Sequence, residues 1–144
     1  MRTYVNSDIY NALPADLKRG IIDTTVISGH GSTNGETNFT STNKLYLLST
    51  HEVYEDADGN TSDGINFWDT AYNNTRQLDY YSSQNVTTSN YSGAIKQKKG
   101  SNDSWWMRSA HSRGITFYIV NSYGNWSTNY SYGTYGVSPA FRIG

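Results

Sequence analysis

The last third of the chain places the tightest limit on its fold. Three apolar runs, Trp105–Ser109, Ile115–Val120 and Val137–Ile143, stand close together, and each has the length of a strand. Gly-, Ser- and Asn-containing turns separate them, which predicts a small, mostly antiparallel sheet joined by long loops. In the last run Val137, Phe141 and Ile143 share one side at period two and Arg142 faces the other, so the run is expected to be core.

The first third reads differently. Ser7 can cap a short helix from Asp8 to Leu13, with Ile9, Ala12 and Leu13 on one face. Pro14 interrupts that helix and begins a second turn that reaches Gly20. Ile21 to Ser28 is β-branched and reads as a strand; Gly29 to Asn38 reads as a loop. Lys44–Ser49 is a short apolar run suited to a core strand, and Ser49-Thr50-His51-Glu52 has capping-box spacing. Asn66 to Leu78 is weakly amphipathic, and Gln84 to Asn90 and the short basic run Lys96, Lys98 and Lys99 read as solvated loops. Early short helices followed by closely spaced strands indicate an α+β fold. At 144 residues and without an internal repeat the chain is expected to be one domain spanning residues 1–144.

Charge and motif content narrow the chemistry. The formal net charge is -1, with 11 basic and 12 acidic residues, so no basic footprint for nucleic acid stands out. No apolar stretch has the length of a membrane span, which argues against membrane insertion, and the residues after Met1 lack the apolar core of a signal peptide. Cysteine is absent, which removes disulfides, thiolate metal sites and thiol nucleophiles. His30, His51 and His111 are not spaced to place two imidazoles on one helical face. Asp56, Asp58, Asn60 and Ser62 alternate as oxygen ligands could, but Phe67 stands where an EF-hand has its closing carboxylate, so a solvated loop is expected. Phosphate-cradling and nucleophile-elbow motifs are missing. The expectation is a non-enzyme without metal or cofactor. Glu52 and Arg108 lie beside or within apolar strands, which makes them candidate buried partners.

Composition then matters at one point. The chain carries 13 Tyr and 4 Trp, and the segment from Asn121 to Gly136 is almost wholly Asn, Ser, Tyr, Thr and Gly. Rigid aromatics with polar handles, set among small amides and hydroxyls, are the chemistry of adaptable binding surfaces. The expected ligand-binding residues are His111, Tyr118, Tyr123, Asn125, Trp126, Ser127, Asn129, Tyr130, Tyr132 and Tyr135. Their aromatic rings should cluster in solvent on one face, apart from a buried Trp105 and Trp106. The partner class is a protein or carbohydrate receptor on a cell surface; the alternative is an assembly module whose Tyr-rich face packs on a neighbouring subunit.

Three ordered blocks carry a family resemblance: Leu45-Tyr46-Leu47-Leu48-Ser49-Thr50-His51-Glu52-Val53, Trp105-Trp106-Met107-Arg108-Ser109-Ala110 and Gly136-Val137-Ser138-Pro139-Ala140-Phe141-Arg142-Ile143. Together they resemble a domain family of bacterial surface and phage proteins with the signatures LLS-x-x-E, WWLRS and GV-x-PAFR. The resemblance implies a C-type-lectin-like fold and a place on a virion or bacterial surface. That fold is shared by formylglycine-generating enzymes, which use cysteines this chain lacks, and by variable proteins of diversity-generating retroelements. The latter systems mutate adenines, so an Asn codon can become Tyr, Ser, Thr, His, Asp or Ile, but not Lys, Glu, Gln, Trp or Met. From Ser101 to Gly144 there is no Lys, Glu or Gln.

Overall fold

The computed structural model describes residues 1–55 and 68–144. The chain opens on a helical segment in which α1 (Arg2–Tyr4) and α2 (Tyr10–Ala12) flank a π-helical stretch, Val5–Ile9. The helix therefore starts before Ser7. Ser7 is no cap: its hydroxyl donates to the Thr3 carbonyl at 2.8 Å, a bond to the preceding turn that helical serines make readily. Leu13 leaves the helix at ψ 149, as the residue before Pro14 must when the proline ring disfavours the α region. Helix α3 (Ala15–Gly20) follows. Asn6 ties the N-terminal segment to the body, donating to the Leu45 carbonyl at 2.8 Å and accepting from the Leu45 N–H at 2.9 Å.

Among the described residues eleven short strands follow: β1 (Ile21–Ile22), β2 (Thr24–Ser28), β3 (Phe39–Asn43), β4 (Tyr46–Leu47), β5 (Lys96–Lys98), β6 (Ser101–Asp103), β7 (Trp105–Ala110), β8 (Thr116–Val120), β9 (Trp126–Tyr130), β10 (Pro139–Ala140) and β11 (Arg142–Ile143). Helices α4 (Thr50–Val53) and α5 (Asp79–Ser83) lie between β4 and β5. All named pairings are antiparallel: β2–β3, β5–β6, the three-stranded β7–β8–β9, and the two closures β1–β11 and β4–β10. The architecture is mixed α+β, with early short helices, small antiparallel sheets and loops.

Three local expectations are corrected. The run Lys96–Lys99 is not a plain loop but half of a hairpin. Lys99 and Gly100, at φ 52 and φ 82, form the two-residue turn that matches strand twist, and Lys98 pairs with Ser101. Strand β9 lies inside the segment whose Asn, Ser and Tyr content read as display loop; its partner β8 supplies the ladder that composition does not reveal. The last run is two strands rather than one, because β10 pairs with β4 while β11 pairs with β1. Ile143 is 66% exposed and Phe141 half-buried, so the final segment closes the fold at its rim. Phe141 is accordingly not the full core residue whose truncation costs about 3–5 kcal/mol.

The β7–β8–β9 sheet is covered on both faces. Successive strand residues point to opposite sides, so the Trp105-Trp106 pair supplies one indole to each. Trp105, Met107, Tyr118 and Val120 pack with Val53, Tyr54 and Tyr81; Trp106 and Ile119 pack with Val5, Ile21, Leu45 and Leu47. The Trp105 indole N–H finds the Ala94 carbonyl at 3.1 Å. Polar groups stitch α4 to β7. The carboxylate of Glu52 accepts from the Ser49 N–H at 2.8 Å, completing the expected capping box, and also from Arg108. That ion pair is buried, at 9% and 8% side-chain exposure. Arg108 further donates to the carbonyls of Ile27 and Leu47, at 3.2 and 2.9 Å. Beside it buried Asp69 accepts from Thr50, Ser109 and the Ala71 N–H.

Candidate functional site

The register of β8 and β9 decides where the expected binding residues lie. Thr116 pairs with Tyr130 at one end of the hairpin and Val120 with Trp126 at the other, where the turn 121–125 closes it. Four strand steps separate the ends, roughly 13 Å.

At the turn, Tyr123 is 75% exposed, while the Asn121 side chain accepts the backbone N–H groups of Tyr123 and Asn125 at 2.9 and 3.1 Å. At the opposite end, Tyr130 and Tyr132 are 43% and 80% exposed, and their rings stack at 5.3 Å and 4°. The Gly133 N–H donates to the Tyr130 carbonyl at 3.0 Å, which folds the chain back so that the two rings meet. Ile115 and Phe117, also exposed, stand at this same end.

The remaining expected residues are buried or half-buried. Tyr118 is completely buried, and burial, reinforced by the charge of Asp69, pushes its phenol well above the ordinary tyrosine range. It does not reach the surface, because its position on β8 is in phase with Val120 and the core. Trp126 is half-buried against Tyr118, 5.9 Å between rings. Tyr135 sets its edge on Trp106 at 5.1 Å and 72°, and its hydroxyl accepts from the Asn129 amide. Ser127 and Asn125 are half-buried, and the side-chain oxygen of Asn125 is buried with no hydrogen-bond partner.

His111 is half-buried at the same end of the sheet as the exposed pair. It begins the β7–β8 loop, at the end of the sheet where Tyr130 lies, and donates its backbone N–H to the Thr116 carbonyl at 3.0 Å. Its ring lies 5.7 Å from Trp68 and 5.6 Å from Tyr118, and the Arg113 guanidinium sits 4.4 Å from the centre of the Trp68 ring. Nδ1 accepts the Arg113 backbone N–H at 3.2 Å, which requires that nitrogen to be unprotonated. Partial burial, then the nearby Arg113 charge, hold the imidazole below its ordinary value of 6.5. A depressed folded-state pKa favours the neutral form, so this contribution to stability is present above pH 6.5 and is lost as pH falls through the folded value. A His111→Gln variant should therefore show a flatter decline in melting temperature between pH 7.5 and pH 5 than the unaltered protein; parallel declines would refute the assignment.

The structure thus places His111 at the same end of the sheet as the Tyr130–Tyr132 pair, and separates them from Tyr123 and Asn125. Ile115 and Phe117 were missed as surface residues. The signal was present: they share the phase of Ile119, whose cover by Trp106 runs out toward the strand's start. Among the described residues no three His, Asp or Glu side chains gather as metal ligands, and the alternating oxygen set Asp56, Asp58, Asn60 and Ser62 lies outside them. Among the same residues no helix is long and apolar enough to cross a membrane.

The family model for the domain of unknown function DUF6273 matches residues 1–144, and the chain belongs to that family. No curated protein and no solved structure matches the chain.

Proposed function

We propose that this DUF6273 domain is a receptor-binding display protein, working by recognition and not by catalysis. Its contact surface is the end of the β7–β8–β9 sheet that carries His111, Ile115, Phe117, Tyr130 and Tyr132. The observation that carries the reading is the stacked, exposed Tyr130–Tyr132 pair, at the same end of the sheet as exposed Ile115 and Phe117, which face the other side. Scattered exposed aromatics are ordinary; two exposed rings stacked on each other at a sheet end that also exposes apolar side chains fit an interaction surface. Aromatic anchors carry the affinity of such surfaces, and surrounding hydroxyls and amides adapt to the partner.

The partner in this reading is a protein or carbohydrate receptor on a cell surface, and the domain sits on a virion or a bacterial surface. The scaffold is read as C-type-lectin-like on the strength of the three sequence blocks. Tyr123, Asn125, Ser127, Asn129, Tyr130 and Tyr132, among the positions from Tyr118 to Tyr135 that an adenine-mutated Asn codon can reach, are read as diversified by a retroelement; a near-copy of the coding segment, differing at adenines, would support that part.

The double substitution Tyr130→Ala/Tyr132→Ala tests the surface. It should abolish capture of the purified domain by the cells that the unaltered domain labels, with the melting temperature nearly unchanged, because exposed anchors contribute little to the fold. Tyr123→Ala, at the other end of the hairpin, should leave labelling intact. Full labelling by the double variant would overturn the proposal.

A further inference from the structure

A groove of about 400 Å³ opens among β2, β3, β4, β7 and β8, within the size range of small-molecule sites. Its walls are apolar: Val26, Phe39, Leu47, Trp106 and Phe117. Phe39 and Phe117 remain 52% and 38% exposed, so the apolar lining continues to the mouth. Its charge is one-sided. Arg2 and Arg108 are the charged residues of the lining, and no carboxylate lines it among the described residues. Arg2 is held at the rim by one bond, from Nε to the Asn43 side chain at 2.9 Å, and its other nitrogens remain available. Arg108 spends Nε and Nη1 on carbonyls and on Glu52, while its buried Nη2 has no hydrogen-bond partner.

An apolar chamber with an arginine at its rim, an unused guanidinium nitrogen in its lining and no anion of its own is complementary to one ligand chemistry. We propose that the groove binds a small free amphipathic carboxylate, its hydrocarbon body against Phe39, Phe117 and Trp106 and its carboxylate met by Arg2. The Nη2 of Arg108, a lining residue, is buried without a hydrogen-bond partner and is the second donor on offer. Glu52 neutralises the charge of Arg108, so Arg2 sets the preference for an anion. This site lies beside the tyrosine surface, through Phe117 and Ser131, but does not rest on the receptor-binding reading.

Calorimetric titration of the full chain with octanoate, octan-1-ol and octylammonium tests it. Octanoate should bind saturably, one molecule per chain, more tightly than octan-1-ol, with octylammonium weakest. Phe117→Asp should lose octanoate binding while the melting temperature holds. Arg2→Gln should weaken octanoate roughly threefold and leave octan-1-ol unchanged, the scale of an exposed charge contact. Equal binding of alcohol and carboxylate, non-saturable uptake, or retention by Phe117→Asp would overturn the proposal. So would concentration-dependent dimerisation, or capture by phosphatidylglycerol vesicles, in the absence of octanoate binding. Tyr130→Ala/Tyr132→Ala should bind octanoate normally, so failure of the receptor surface and failure of the groove are read separately.

Discussion

Replacing Glu52 with alanine is expected to destabilise the fold by about 3–5 kcal/mol, the range for leaving one member of a buried ion pair without its partner. The Arg108 guanidinium would stay beneath the surface at 8% exposure, with carbonyls for two of its donors and no countercharge. The change also removes the acceptor of the Ser49 N–H, so α4 loses half of its capping box. Chemical denaturation should show the loss as a lower midpoint at unchanged slope. The companion experiment is the apolar double replacement Glu52→Leu/Arg108→Met. Since the pair's mutual attraction largely offsets its own desolvation, the double variant should be less destabilised than Glu52→Ala alone. Simple additivity of the single losses would show that the two side chains act independently, contrary to their shared bond.

Gly124→Ala is the second change expected to be severe. Gly124 sits at φ 92, where a side chain is strained, and a Cβ placed there would fall 2.1 Å from the Tyr91 carbonyl oxygen, a backbone atom that cannot swing aside. The Gly124 carbonyl also accepts from the buried Tyr54 hydroxyl at 2.5 Å, so any shift of the turn breaks a bond into the core. Backbone strain costs about 1–2 kcal/mol and overpacking about 1–3 more, giving a loss of about 2–5 kcal/mol. Tyr54→Phe should lose a smaller amount, about 1–2 kcal/mol, since only one hydrogen bond goes. A Gly124→Ala protein as stable as the parent would mean that the β8–β9 turn is not anchored where the structure places it.

Features that depend on local chemistry were legible in the sequence. The Ser49–Glu52 capping box follows from spacing alone, Pro14 marks the helix break, and the burial of Trp105 and Trp106 follows from their place in an apolar run. The Glu52–Arg108 pair was legible for a related reason: a charge inside an apolar strand needs a partner. Features that depend on what lies across the ladder were not. Tyr118 and Tyr130 are the same residue type in neighbouring strands, and one is sealed while the other is in solvent, because Tyr118 falls over the core and Tyr130 falls where the cover ends. Strand β9 is hidden for the same reason, since Trp126-Ser127-Thr128-Asn129-Tyr130 lacks an apolar face and is strand only through β8. Within the candidate site, tyrosine content located the Tyr130–Tyr132 pair but could not separate it from Tyr123.

The two closures have a kinetic consequence. Ile21 pairs with Ile143 and Leu47 with Pro139, so strands formed early in the chain wait for partners more than ninety residues away. Loop-closure entropy must be met before such contacts reward it, and sheets built on distant pairs assemble slowly. During synthesis β1 and β4 would emerge with unpaired edges, which stay open until β10 and β11 follow them.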